Sequence, residues 1–183
     1  MKTMHVMRRL WVLLALFGAL SLSACAHSAG SYEPMQAMKQ GMTLSPYENL
    51  VLSATNDNSV PMTELDRERL VNKIVRRVQV TGKYRTINDK SQQPNTLAAT
   101  LVVTNYDEGN AFLRFLLAGL GQIHIDGTLT LENSAREPLA KYVVNKTFAW
   151  GGIHGGTTNI QAVEEGFAEA VAEILLEKDK QQE

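Results

Sequence analysis

Among 183 residues there is one cysteine, Cys25. No intrachain disulfide can form, and a cysteine-ligated metal site is excluded. The fold must therefore be held by its core. An excess of positive charge is also missing: 18 basic residues face 19 acidic ones. Nucleic acid needs a basic face to neutralise phosphates, so no nucleic acid is expected as a partner. The apolar run near the N-terminus, Leu10 to Leu20, is interrupted only by Gly18. It falls short of the roughly 20 residues needed to span a bilayer. Catalytic signatures are missing too. There is no Gly-x-Ser-x-Gly elbow, no His-Glu-x-x-His and no close pair of catalytic carboxylates. The run Gly155-Gly156-Thr157-Thr158 lacks the lysine of a phosphate loop. No catalytic residue, metal ligand or cofactor is assigned.

What is present at the N-terminus is a sorting signal. Lys2, Arg8 and Arg9 precede the apolar run, with no acid among them, and small residues follow it. That pattern marks a secretory signal peptide over residues 1–24, cleaved between Ala24 and Cys25. Leu22-Ser23-Ala24-Cys25 resembles the bacterial lipobox. The resemblance implies a diacylglyceryl group on the Cys25 thiol, cleavage before Cys25 and acylation of the freed amine with a palmitate-type chain. Two or more acyl chains anchor stably, at about 0.8 kcal/mol per buried CH₂. Ala26, rather than Asp, follows Cys25, which by the same resemblance implies an outer-membrane lipoprotein facing the periplasm. Removing Lys2, Arg8 and Arg9 leaves 15 basic residues against 19 acidic ones, a net of −4 for a mature chain of 159 residues.

Behind the anchor, residues 25–44 are mixed, small and polar, with no apolar period. They are expected to form a tether, holding the domain about 25 Å away as a flexible coil. His27 lies in it. A single α+β domain is expected over 45–178, with a polar tail at 179–183. Leu50, Val51 and Leu52 mark a short strand. Thr63 and Asp66 suggest a capped helix start, and Leu70, Val71, Ile74, Val75 and Val78 lie on one helical face. Gly82 suits its end. Strands are expected at Tyr84 to Ile87 and at Thr96 to Tyr106. From Gln122 to Glu132, Ile123, Ile125, Leu129 and Leu131 alternate with polar residues, which marks a strand wet on one face. Ala140 to Trp150 pairs with it as a hairpin. Thr158 and Gln161 match a capping box ahead of a helix whose stripe is Ile160, Val163, Phe167, Ala170 and Ile174. The fold class expected is α+β: an antiparallel sheet of about five strands with two helices on one face.

Two segments stand out. Gly109 to Gly121 is strongly apolar, with one arginine in the middle. It is either a connector folded over the core or an exposed contact surface made by Phe112, Arg114, Phe115, Leu116 and Leu117. The second is Gly151-Gly152-Ile153-His154-Gly155-Gly156, read as a structural turn rather than an anion site. Gly109-Asn110, Arg114, Gly119-Leu120-Gly121, the alternating strand and this second glycine-rich turn together resemble a family of small bacterial lipoproteins, the domain of unknown function number 4410. The likeness covers roughly residues 45 to 178. It implies an envelope lipoprotein with a small α+β fold and brings no activity with it.

The leading reading is a non-enzymatic, membrane-anchored envelope lipoprotein that binds a protein partner or assembles with itself. The alternative is a small-ligand, metal-binding or enzymatic domain at His124, Asp126 and His154. His124 and Asp126 share one strand face, and His154 follows the neighbouring strand. A further alternative is a ring component of a secretion pore, by fold-level analogy with curli-secretion lipoproteins.

Overall fold

The computed structural model describes residues 29–88, 93–117 and 119–178. The expected signal peptide, Ala24, Cys25, His27 and the tail 179–183 lie outside these described residues.

Six strands form one sheet among the described residues: β1 (Ser31–Gln36), β2 (Asn49–Asn56), β3 (Thr86–Ile87), β4 (Thr96–Asp107), β5 (Ile123–Glu132) and β6 (Pro138–Phe148). Their spatial order is β1-β6-β5-β4-β2-β3. Among the described residues four helices accompany them: α1 (Glu64–Gln79), α2 (Ala111–Leu116), α3 (Gly152–Thr157) and α4 (Ile160–Leu175). The α+β class holds, but the details expected from sequence do not. The sheet has six strands and is mixed, because β2 runs parallel to both β3 and β4. The physical reason is α1. A helix between neighbouring strands carries the chain back, so the next strand starts from the same end. The remaining pairs, β4–β5, β5–β6 and β1–β6, are antiparallel.

The expected tether begins to fold earlier than residue 45. Residues 31–36 form β1, and Leu44 is fully buried, with its N–H donating to the Glu177 carboxylate at 2.7 Å. A sheet-edge strand needs no apolar period, and in β1 only Tyr32 is even partly buried. Pro34 is tolerated there because an edge strand has unpaired backbone positions.

The core forms where the alternation was clearest. Ile123, Ile125, Leu129 and Leu131 of β5 are fully buried. On β4, Leu97, Ala99, Leu101 and Val103 face the same way. A register shift between Val103 and Asn105 then changes the phase by one residue, so Tyr106 turns inward in place of Asn105. Helix α1 begins at the expected box: Thr63 accepts from the Asp66 N–H, and Asp66 accepts from that of Thr63. Leu70, Ile74 and Val78 are its buried stripe. Helix α4 lies against α1, β5 and β6 at once. Its burial therefore extends beyond the expected stripe to Glu164, Gly166, Ala168, Val171 and Leu175. Its cap is Asn159, which accepts from the Ala162 N–H at 3.0 Å, not the expected Thr158–Gln161 pair. Thr158 is already engaged, since its hydroxyl donates to the His154 carbonyl at the end of α3.

Candidate functional site

Strands β4 and β6 both run antiparallel to β5, so they end at the same end of the sheet. The loops that leave them, 108–122 and 149–159, meet there. Helix α2 sits in the first loop and α3 in the second, and the two pack together.

Arg114 joins the loops. Its side chain is 2 % exposed and donates only to main-chain carbonyls. Nε reaches Gly155 at 2.9 Å, and Nη1 reaches Glu108 at 3.1 Å and Gly121 at 2.6 Å. Nη2 reaches Thr158 at 3.0 Å. The planar guanidinium fork suits several acceptors held in one place. Burial pulls its pKa below the ordinary guanidinium value, yet an arginine keeps its charge at neutral pH.

The glycines make this approach possible. Gly109 and Gly121 have φ of +63° and +65°, a region that favours glycine. A Cβ on Gly109 would collide with the Gln122 carbonyl, and one on Gly155 with that of Trp150. Asn110 caps α2 by accepting from the Leu113 N–H at 3.0 Å, while its own N–H donates to the Gly121 carbonyl at 3.1 Å. The Gly119 N–H donates to Ala149 at 3.1 Å, which ties the two loops again.

With Arg114 turned inward, the large apolar side chains turn outward. Phe112, Phe115, Leu116 and Leu117 are each more than half exposed. The second loop adds Trp150 and Ile153, also more than half exposed. The result is an apolar tip at one end of the sheet, on a hydrogen-bonded frame. Phe112, Phe115, Leu116 and Leu117, grouped from sequence with Arg114, lie on this tip; Arg114 itself lies beneath it. Sequence reasoning missed Trp150 and Ile153. The signal was available in the expected hairpin, because loops leaving alternate antiparallel strands fall at one end.

The polar residues singled out from sequence are not gathered. His124 and Asp126 are half-buried on the sheet face opposite the helices. Nδ1 of His124 lies 3.0 Å from the Thr147 hydroxyl, and Asp126 accepts from Asn105 at 3.1 Å. His154 is exposed on α3. Among the described residues no three His, Cys, Asp or Glu side chains are placed to share a metal ion.

A second polar cluster lies between α1 and α4. The fully buried Glu164 carboxylate accepts from Arg69 Nε at 2.9 Å and Nη2 at 2.8 Å, and from the Tyr106 hydroxyl at 2.7 Å. Lys73 donates to the Gln161 carbonyl at 2.6 Å and pairs with Glu165 at 2.7 Å. Burial and then the hydrogen bond to Glu164 push the Tyr106 hydroxyl pKa well above its ordinary value. The bond to Glu164 likewise raises that of Arg69. Tyr106 is thus a committed donor and Glu164 a saturated acceptor, so the cluster braces the two helices.

Comparison with known proteins agrees with the fold. The PelC dodecamer from Paraburkholderia phytofirmans aligns with TM-score 0.54 at 10% identity, covering 80% of this chain and 96% of that one. A single-substitution variant of the same dodecamer aligns with TM-score 0.51 at 13% identity, covering 82% and 99%. No curated protein matches the chain. The family model that matches, over residues 33–152, starts within β1 and takes in Arg114 and the first tip loop. The chain belongs to that family, the Domain of unknown function (DUF4410).

Proposed function

We propose that this chain is a non-enzymatic module of the bacterial cell envelope, held at the periplasmic face of the outer membrane by acylated Cys25. It works by contact and associates with copies of itself. The observation that carries this reading is the apolar tip. Large exposed apolar patches on a folded domain mark contact surfaces, and this one is built on a frame fixed by Arg114. Self-association draws support from the PelC structures, which share the fold and are described as dodecamers. Nothing in the placement of His124, Asp126 and His154 favours an enzymatic or metal-binding alternative.

Two measurements on the full chain, extracted from membranes in mild detergent, test the proposal. Native mass spectrometry should find a discrete assembly of several copies; a monomer at every concentration overturns self-association. Peptide mass spectrometry should find Cys25 as the acylated first residue. An unmodified or uncleaved N-terminus overturns the anchor.

A further inference from the structure

The direction in which the chain leaves the fold bears on what covers the tip. Strand β1 pairs antiparallel with β6, with Ser31 opposite Asn145. The start of β1 therefore points the same way as the end of β6. That end leads through Phe148 into Trp150 and α3. From Asn145 to Phe148 the strand advances about 10 Å at its usual rise. Residues 26–30 separate Cys25 from Ser31, and such a stretch spans at most about 20 Å when extended. The start of β1 and the apolar tip thus lie at one end of the molecule, and the chain from Ser31 back to Cys25 is long enough for a lipid there to share a plane with the tip.

We propose that the tip is seated in the surface of the bilayer that holds the Cys25 lipid, so that the domain stands end-on against the membrane. The inference rests on the reading of Cys25 as acylated. It adds a second, non-covalent attachment made by Phe112, Phe115, Leu116, Leu117, Trp150 and Ile153. A tryptophan between an apolar cluster and a polar body suits the membrane–water boundary. Helix α2 is far too short to span, and no helix among the described residues is long and apolar enough to cross a membrane. The contact is therefore interfacial. Asp107 and Glu108 are exposed beside the tip, so attraction to anionic lipid does not drive the contact. It should persist at high salt, where surface charge is screened.

Trp150 supplies the test. The sequence has two tryptophans, Trp11 and Trp150, and only Trp150 lies beyond the signal peptide. Mature protein purified from membranes is reconstituted into phosphatidylethanolamine–phosphatidylglycerol vesicles. Its fluorescence is quenched separately by nitroxide-labelled lipid and by aqueous acrylamide. The expected result is a blue-shifted emission, quenched by nitroxide near the headgroups and protected from acrylamide. A Phe115→Ser, Leu116→Ser double variant should lose that quenching while its circular dichroism stays unchanged. Acrylamide quenching without nitroxide quenching places the tip in water and overturns the proposal. Protection from both quenchers means that a second copy or another protein covers the tip, which also overturns it. Mass spectrometry of Cys25 in the same sample judges the anchor independently. An unacylated N-terminus sinks that reading, while Trp150 quenching still decides where the tip sits.

Discussion

Nε of Arg114 donates to the main-chain carbonyl of Gly155 at 2.9 Å, across 41 positions of sequence. With its partners at Glu108, Gly121 and Thr158, this bond makes one unit of two loops. Arg114→Ala would leave the Glu108, Gly155 and Thr158 carbonyls without the guanidinium donors, while Gly121 keeps the Asn110 N–H, and would open a cavity. Each orphaned buried acceptor costs about 1–3 kcal/mol before water enters, so a net loss of about 3 kcal/mol is expected. Urea denaturation would measure it. Hydrogen exchange should speed up over 109–121 and 150–158 first, with β5 unaffected. Arg114→Lys should recover only part of the loss, because an ammonium cannot fork to four acceptors.

The glycines of the tip fall into two groups. Gly109 has a positive φ and no room for a Cβ, whereas Gly119, at φ +89°, has open space around it. Gly119→Ala should cost about 1 kcal/mol, the usual strain of a left-handed non-glycine residue. Gly109→Ala adds a collision with the Gln122 carbonyl and should cost at least about twice as much. Equal melting temperatures for the two variants would contradict the geometry of the first loop.

Glu164 is buried between two cations, Arg69 and Lys73. Replacing it with alanine leaves that positive charge in the α1–α4 interface and the Tyr106 hydroxyl without its acceptor. Breaking a buried pair from one side typically costs about 3–5 kcal/mol. Arg69 is partly exposed, so the lower end of that range is expected. The combination of Glu164→Leu and Arg69→Met should be much less harmful than Glu164→Ala, since it removes Glu164 and Arg69 together, keeps apolar volume and leaves Lys73 paired with Glu165. A double variant worse than the single one would rule out this view of the brace.

Stability should also respond to acid. Burial opposes ionisation of Glu165, but Lys73 and then Arg77 outweigh it and hold the carboxyl below its ordinary pKa. Asp66 behaves alike: burial is offset by hydrogen bonds from Thr63 and Arg69. A carboxyl whose folded pKa is depressed binds fewer protons folded than unfolded. Its contribution is complete above the unfolded pKa, near 4, and is lost as pH falls through the folded value. Denaturation midpoints should be flat near neutrality and drop below about pH 4–5. Glu165→Gln should flatten part of that drop, and an unchanged pH profile would exclude this source.

Much of the fold could be read directly from sequence, wherever a pattern had a cause acting along one element. The alternation of Ile123, Ile125, Leu129 and Leu131 reflects burial on one face, and those residues are in the core. The Thr63–Asp66 box is local chemistry, and it caps α1. Features set by distant partners were not legible. Strand β1 owes its existence to pairing with β6, not to Ser31–Gln36 itself. Thr158 looked like a cap until Arg114 claimed its carbonyl and His154 its hydroxyl. Arg114 resembled a surface cation in an apolar run because its acceptors are main-chain carbonyls, which leave no side-chain signature.

Gly127 shows how a single missing side chain can set the spacing between layers. It interrupts the large residues of β5 at the point where Phe167 of α4 crosses the sheet. A Cβ there would lie 3.2 Å from Phe167 Cζ, 3.2 Å from Leu101 Cδ1 and 3.0 Å from the Val102 carbonyl oxygen. The Phe167 ring is itself fully buried, so it has no free direction to retreat. Overpacking a closed core of this kind costs about 1–3 kcal/mol, and Gly127→Val should reach the upper end. Alanine needs only a few tenths of an ångström of yield and gains from the lost flexibility of glycine in a strand. Gly127→Ala should therefore be much milder than Gly127→Val. Pairing Gly127→Val with Phe167→Leu should restore part of the stability lost, because the smaller side chain frees the volume that the valine takes. A double-mutant cycle in urea reads that coupling directly, and strict additivity of the two losses would refute the contact between Gly127 and Phe167.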